Sequence, residues 1–259
     1  METDVVIVHE DEWGATLTPQ QRQAARIVVD DVVARSDVLG IVLAGSIVRG
    51  EGGPTSDLDL YVVISSPCRQ RRQLLVMGVR VEVFINPPWI IRSYFADELR
   101  EGSPSTAHML ATGIPLFERG ATLSELRDEA RRLLADGPAA LSEGELTQRR
   151  YDVIDLAEDA DDVRAGNPDA LAYVLPLLVQ RAISLLYARQ RRWTPKPKRL
   201  PGDLERVDPD AAALLRAYLR EPDLSRRHAL VGALVDRAIA PLPRAFFIWD
   251  SEPEEMPPA

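Results

Sequence analysis

The sequence predicts an α/β (α+β) chain, a mixed sheet flanked by helices and followed by a C-terminal helical bundle. Three observations predict it. One amphipathic stretch and three short β-branched runs, VLGIVLAG, LDLYVVIS and VRVEVFIN, crowd the first half. The composition turns small and polar at DGPAALSEGEL (136–146), which reads as a linker. Beyond it, helical periodicity runs over roughly 147–165, 168–192, 208–220 and 224–240, as in a four-helix bundle. The expected division is residues 1–138 and 139–259.

The elements follow in order. In LTPQQRQAARIVVDDVVARSD, Thr18 is a good N-cap, Pro19 suits the first helical position and Gln21 completes a capping box. Ala24, Ile27, Val28 and Val32 recur at helical spacing. VLGIVLAG ends in a glycine turn, and LDLYVVIS and VRVEVFIN are two further strands. Between those two lies the polar connector CRQRRQ, with a hairpin turn through Met77 and Gly78. WIIRSYFADELR and STAHMLAT read as helices, GIPLFER as an edge strand and LSELRDEARRLLAD as another helix. FFIW (246–249) is too apolar to leave in water and should dock on a domain or a second subunit, so a homodimer is one expected arrangement. The tail SEPEEMPPA is too polar to fold alone.

The bulk numbers set limits. With 259 residues, 46% hydrophobic and 27% charged, the chain can bury two sizeable cores. A net charge of −9 excludes a long nucleic acid as the expected partner and leaves room for a cationic small molecule. No apolar run approaches the ~20 residues that span a bilayer, and METDVVIVHEDEW lacks the basic flank and apolar core of a signal peptide. No membrane partner is therefore expected. A single cysteine, Cys68, fits a reducing cytoplasm. His9, His108 and His228 have no zinc spacing, and GEGGP lacks the Gly-Lys-Ser/Thr of a P-loop.

The chemistry concentrates in AGSIVRGEGGPTSDLDLYVVIS (44–65). Gly45 and Ser46 close a buried strand, where backbone and hydroxyl can take a phosphate oxygen. Arg49, four residues beyond the glycine, is a further phosphate candidate, or it pairs with a surface acid. Alternation along LDLYVVI puts Asp57 and Asp59 on one face and Leu58 and Leu60 in the core. Two carboxylates that close repel unless a cation sits between them, and Mg²⁺ with substrate phosphates is the natural one. In VRVEVFI, Glu82 shares a face with Arg80 and Phe84, so a neighbouring strand can bring a third acid to the site. Asp57, Asp59 and Glu82 together are expected to hold two Mg²⁺ ions for phosphoryl transfer.

Gly45-Ser46, ten residues, then Asp57-Leu58-Asp59 with Glu82 on a later strand resembles the DNA polymerase beta-like nucleotidyltransferase superfamily. A catalytic domain followed by a helical one is similar to the antibiotic nucleotidyltransferases of the kanamycin and streptomycin/spectinomycin types. The resemblance implies a cleft between two domains and transfer of AMP from ATP to a hydroxyl of a small, cationic, aminoglycoside-like acceptor, with release of pyrophosphate. It implies Glu82 as the base, as in the streptomycin type, or a helical-domain acid such as Glu158, as in the kanamycin type. The rival expectations are a protein hydroxyl as acceptor, as in toxin–antitoxin systems, and a non-catalytic ATP sensor.

Two features of the second half bear on this. Lys196 and Lys198 are the chain's two lysines, both in WTPKPKRL, a loop similar to a triphosphate-gripping tract of the streptomycin type. They either meet the β- and γ-phosphates or sit in a solvated loop stiffened by proline. In YDVIDLAEDADDVR, Asp152, Asp155, Asp159 and Asp162 stack on one helix face, with Glu158 nearby and Val153, Leu156, Ala160 and Val163 as the apolar stripe. Such a face suits a polycationic acceptor or plain solvent.

Overall fold

The structure is a computed structural model that describes residues 5–6, 17–52, 56–244 and 250. It divides into two compact units, residues 1–137 and 138–259. The FFIW segment and the tail lie outside the described residues.

The first unit is built on a six-stranded sheet: β1 (Val5–Val6), β2 (Val38–Ala44), β3 (Leu58–Ile64), β4 (Gln70–Val76), β5 (Val79–Asn86) and β6 (Ile114–Arg119). The spatial order is β1-β6-β2-β3-β5-β4, with β3 and β5 parallel and every other pair antiparallel. GIPLFER is thus not the edge, because the two-residue β1 pairs outside it. The outer strand on the other side is β4, which was expected to be a connector. Its polar sequence misleads, because an edge strand with exposed arginines is how sheets discourage edge-to-edge pairing. The β4–β5 hairpin turns at Met77 and Gly78, whose φ values of 52° and 78° are both positive, as a two-residue type I′ turn requires.

Helix α1 (Pro19–Arg35) begins with the expected capping box, in which the Gln21 N–H donates to Thr18 Oγ1 at 3.2 Å and the Thr18 N–H donates to Gln21 Oε1 at 2.9 Å. Its buried face is Ala24, Ala25, Val28 and Val32, while Ile27 is exposed, one position off the expected stripe. This helix covers one side of the sheet, against Leu58, Leu60, Val62, Val81 and Val83. The four-residue α2 (Gly45–Val48) follows β2 directly. Helices α3 (Pro88–Glu101), α4 (Ser105–Thr112) and α5 (Thr122–Asp136) cover the opposite side, against Val42, Tyr61 and Val63. Buried Glu98 fixes the start of α4 by accepting from the N–H groups of Thr106 and Ala107. Burial pushes its carboxyl above the usual range against the pull of those bonds.

The second unit is helical: α6 (Glu143–Val163), α7 (Pro168–Arg189), α8 (Leu200–Val207), α9 (Pro209–Arg220) and α10 (Leu224–Ile239). Ser142 and Glu145 form a capping box at the start of α6, within the stretch read as a linker. The short α8 was not expected and makes five helices among the described residues of this unit. On length and composition α7 is long and apolar enough to cross a membrane, which corrects the sequence reading. Gln180 and Arg181 interrupt its apolar run, yet the helix as a whole stays apolar. Half of its apolar stretch is buried, and Leu171, Leu175, Leu178, Ala182 and Leu186 lie in the unit's core.

Candidate active site

Strand register decides what meets at the Gly45 end of the sheet. Ala44 pairs with Asp59 across β2 and β3, and Asp59 pairs with Glu82 across β3 and β5. Asp57 and Arg80 lie one residue before Leu58 and Val81, the first partners in the β3–β5 pairing. Alternation therefore places Asp57, Asp59, Arg80 and Glu82 on a single face, the one bearing Tyr61 and Phe84. Leu58, Leu60, Val81 and Val83 point into the core below α1, as the pattern demanded.

Gly45 has a φ of +89°, a left-handed conformation open to glycine at little cost. A Cβ built there would run into the Asp59 carboxylate, so the missing side chain is what lets Asp59 lie against the turn. Ser46 Oγ donates to Ser56 Oγ at 3.4 Å. The Glu51 N–H donates to the Ser46 carbonyl at 2.9 Å. Arg49 donates through Nε to Glu51 at 3.3 Å, the surface pairing that was its alternative role. Burial holds its guanidinium below the ordinary value, and the Asp59 charge acts in the opposite direction.

The three acids share a face without sharing a point. Among the described residues, no group of three or more His, Cys, Asp or Glu is placed to hold one ion. The reason is two arginines. Arg80 brings a guanidinium nitrogen to 2.5 Å from Asp57 Oδ1. That oxygen is buried and makes no hydrogen bond, so the approach is a charge contact with poor hydrogen-bond alignment. Arg71, on β4, donates through Nε to Glu82 Oε1 at 2.7 Å, and its terminal nitrogen stands 2.5 Å from the same atom. Gln73 adds a third donor to Oε1 at 3.2 Å. The three donors to this oxygen all come from β4. Arg71 is itself held, with its guanidinium 5.0 Å from the Phe84 ring centre, and Phe84 stacks on Tyr61 at 5.9 Å and 15°. Asn86 donates to the Tyr61 hydroxyl at 3.1 Å, and burial pushes that hydroxyl's pKa up.

Asp57 and Asp59 fit a divalent cation on two observations. They are hard oxygen donors two residues apart on one face, and Asp57 Oδ1 is buried without a hydrogen bond. The sequence had offered Arg80, since alternation put it on the face of Glu82. It hid Arg71 and Gln73 in a segment read as a connector.

The candidates of the second unit are each exposed. Lys196 and Lys198 lie in the loop between α7 and α8, where the Arg199 N–H donates to the Lys196 carbonyl at 2.8 Å. Asp155, Glu158, Asp159 and Asp162 lie on the solvent side of α6. Asp152 is half-buried and accepts from Gln148 at 2.9 Å, and the neighbouring Asp161 meets His228 at 2.7 Å. Val153 and Ala160 are buried in the core, with Leu156 and Val163 packed against it.

Residues 25–107 match the nucleotidyltransferase domain family, a span from α1 into α4 that contains Gly45, Ser46, Arg49, Asp57, Asp59 and Glu82. No curated protein matches the chain. Among solved structures, the chain is similar to a nucleotidyltransferase-like protein from Exiguobacterium sibiricum 255-15. The TM-score is 0.53 at 16% identity, covering 84% of this chain and 73% of that one, a likeness of fold. The chain carries a nucleotidyltransferase domain, and its class of activity is nucleotidyl transfer. Domains of this kind generally use a nucleoside triphosphate and a divalent metal.

Proposed function

We propose that the protein transfers AMP from ATP to a hydroxyl of a small, cationic, aminoglycoside-like acceptor and releases pyrophosphate. The observation that carries the chemistry is the pair Asp57 and Asp59 on one face of β3, with Asp59 seated against the Gly45 turn. These two carboxylates would hold the Mg²⁺ ions expected from the sequence. When bound, such ions neutralise charge on the triphosphate oxygens and lower the pKa of a coordinated hydroxyl.

The chain's own groups supply the rest. Ser46 and the backbone at Gly45 are assigned to phosphate oxygens, and Lys196 and Lys198 to the β- and γ-phosphates as point charges. Glu82 is assigned as the general base, since its Oε1 carries all three donors and Oε2 remains to accept a proton. The acceptor O–H gives its proton to Glu82 as the oxygen attacks the α-phosphorus. The bond from that phosphorus to the oxygen bridging toward the β-phosphorus breaks, and pyrophosphate leaves with the electron pair. The exposed acids Asp155, Glu158, Asp159 and Asp162 are assigned to the cationic groups of the acceptor. The reading places the reaction in the cytoplasm, with no membrane or long nucleic acid involved.

The test is pyrophosphate release from ATP and Mg²⁺ across a panel of aminoglycosides, with Asp57→Asn and Asp59→Asn as controls. The reading expects release with at least one drug, and a loss of about 10³-fold or more in each variant. Adenylylation of a protein in place of a drug would move the acceptor to the toxin-like class. ATP binding with no release for any acceptor would make the protein a sensor, the reading favoured if Arg80 never leaves Asp57.

A further inference from the structure

Strand register carries the acid face out to the edge of the sheet. Gln73 pairs with Glu82 across β4 and β5, and Leu75 pairs with Arg80. The contacts of Gln73 with Glu82 and of Arg71 with Phe84 fix the face that alternate residues of β4 present. Leu75 therefore stands on the acid face, whereas Leu74 and Val76 pack on the core beneath α1. Its side chain is 73% exposed, and it is a diagonal neighbour of Glu82, about 7–8 Å away. A lone exposed leucine is ordinary on a surface. This one lies beside the groups assigned to the reaction.

The assigned reaction fixes which side the acceptor takes. The Gly45–Ser46 turn follows β2, on one side of Asp59, and Glu82 stands on the other side, on β5. Attacking and leaving oxygens lie roughly in line through the phosphorus, so an acceptor opposite the phosphate turn enters over β5 and β4. There it meets Gln73, Leu75, and the side chains of Arg71 and Arg80, each 62% exposed. Two exposed guanidiniums make a poor seat for an ammonium group. A cationic acceptor therefore turns its amines away from β4 and offers this strand an uncharged flank.

We infer that Leu75 is a specificity-determining residue for the acceptor, packing its exposed side chain on the uncharged flank next to the hydroxyl that Glu82 receives. The inference rests on the proposed transfer reaction and adds which part of the acceptor the sheet recognises. The contact is noncovalent burial of apolar surface, so it acts on the affinity for the acceptor and not on that for ATP.

The experiment is steady-state pyrophosphate release by the full chain with ATP, Mg²⁺ and, in turn, streptomycin, spectinomycin and kanamycin. Leu75→Ser, Leu75→Glu and Leu75→Met are compared with wild type, and Ile27→Ser, at an exposed apolar position on α1, is the control. With a drug that wild type modifies, Leu75→Ser should raise the acceptor KM about threefold to tenfold and hold the KM for ATP within about twofold. Leu75→Glu should raise the acceptor KM at least as far. Leu75→Met, which keeps an apolar side chain of similar volume, should stay within about twofold of wild type, as should Ile27→Ser. An unchanged acceptor KM in Leu75→Ser overturns the inference, as does a rise matched by Ile27→Ser or by the KM for ATP. A lower acceptor KM in Leu75→Glu also overturns it, because the amines then face β4. Failure of the transfer reading has its own signature: wild type releases no pyrophosphate with any of these drugs, and both readings fall together.

Discussion

The acids of the sheet and the acids of α6 are equally visible in the sequence and end in opposite situations. Asp57 and Glu82 each face a guanidinium, and Asp59 lies against a turn that has no side chain. Asp155, Glu158, Asp159 and Asp162 lie within about two turns of an exposed helical face, and no ion pair joins them to another described residue. The difference is a matter of scaffolding. Strands packed on both faces fix where a carboxylate points and make an unbalanced charge costly. A solvated helix face lets each carboxylate keep its own water, so repulsion there amounts to a few tenths of a kcal/mol per pair. Asp208 shows that the helical unit can also fix an acid. It is buried, caps α9 through the Ala211 N–H at 3.0 Å, and takes Arg237 Nε at 2.7 Å on both oxygens.

The largest effect expected is at the sheet. Gly45→Ala forces a Cβ into the Asp59 carboxylate at a positive φ, costing about 1–2 kcal/mol from the backbone alone. Pyrophosphate release should fall by more than that stability loss explains, because Asp59 moves. A variant with wild-type turnover would show that Asp59 needs no fixed seat.

Asp208 comes next. Burial raises its pKa, but the hydrogen bonds from Arg237 and the Ala211 N–H outweigh burial and leave it below the usual carboxylate range. The folded protein therefore binds this proton less tightly than the unfolded chain. The carboxylate's contribution is complete above the ordinary aspartate pKa and is lost as pH falls through the folded value. Asp208→Asn keeps an N-cap but loses the charge-assisted bonds to Arg237, and should cost about 1–2 kcal/mol at neutral pH by chemical denaturation, with a smaller difference from wild type at the acid end. An equal deficit at every pH would mean the charge contributes nothing.

Smaller again is the lysine loop. Replacing Lys196 and Lys198 together by Ala should raise the KM for ATP several-fold with little change in thermal midpoint, and an unchanged KM would leave the pair as ordinary solvated charges. Smallest is α6 itself. Asp155→Asn with Asp159→Asn should stabilise the fold by a few tenths of a kcal/mol by relieving repulsion. If that face meets a cationic acceptor, the same variant raises the acceptor's KM. If it does not, stability changes and KM stays put.

Much of this was legible in the residues. The Thr18–Gln21 capping box, the glycine turn at 45, the Met77-Gly78 hairpin and the common face of Asp57 and Asp59 follow from local rules that need no distant partner. The edge strand β4 was not legible, because its polar residues satisfy the criteria for a loop as well as those for a protected edge. Nor was α8, only eight residues long, or the exposure of Ile27 beside buried Ala25. The site was half legible: the acids could be read, and their counter-ions could not.

By itself, the sequence determined which side chains share a face and where the chain divides, because both depend on periodicity and composition within a few residues. Only the tertiary structure decided which cation each acid meets. Arg71 reaches Glu82 across a hairpin whose register is set by pairing, and Asp59 meets Glu82 through a parallel pairing of strands more than twenty residues apart. A charge is felt over a few ångströms, and no local pattern specifies distances of that size between separate strands.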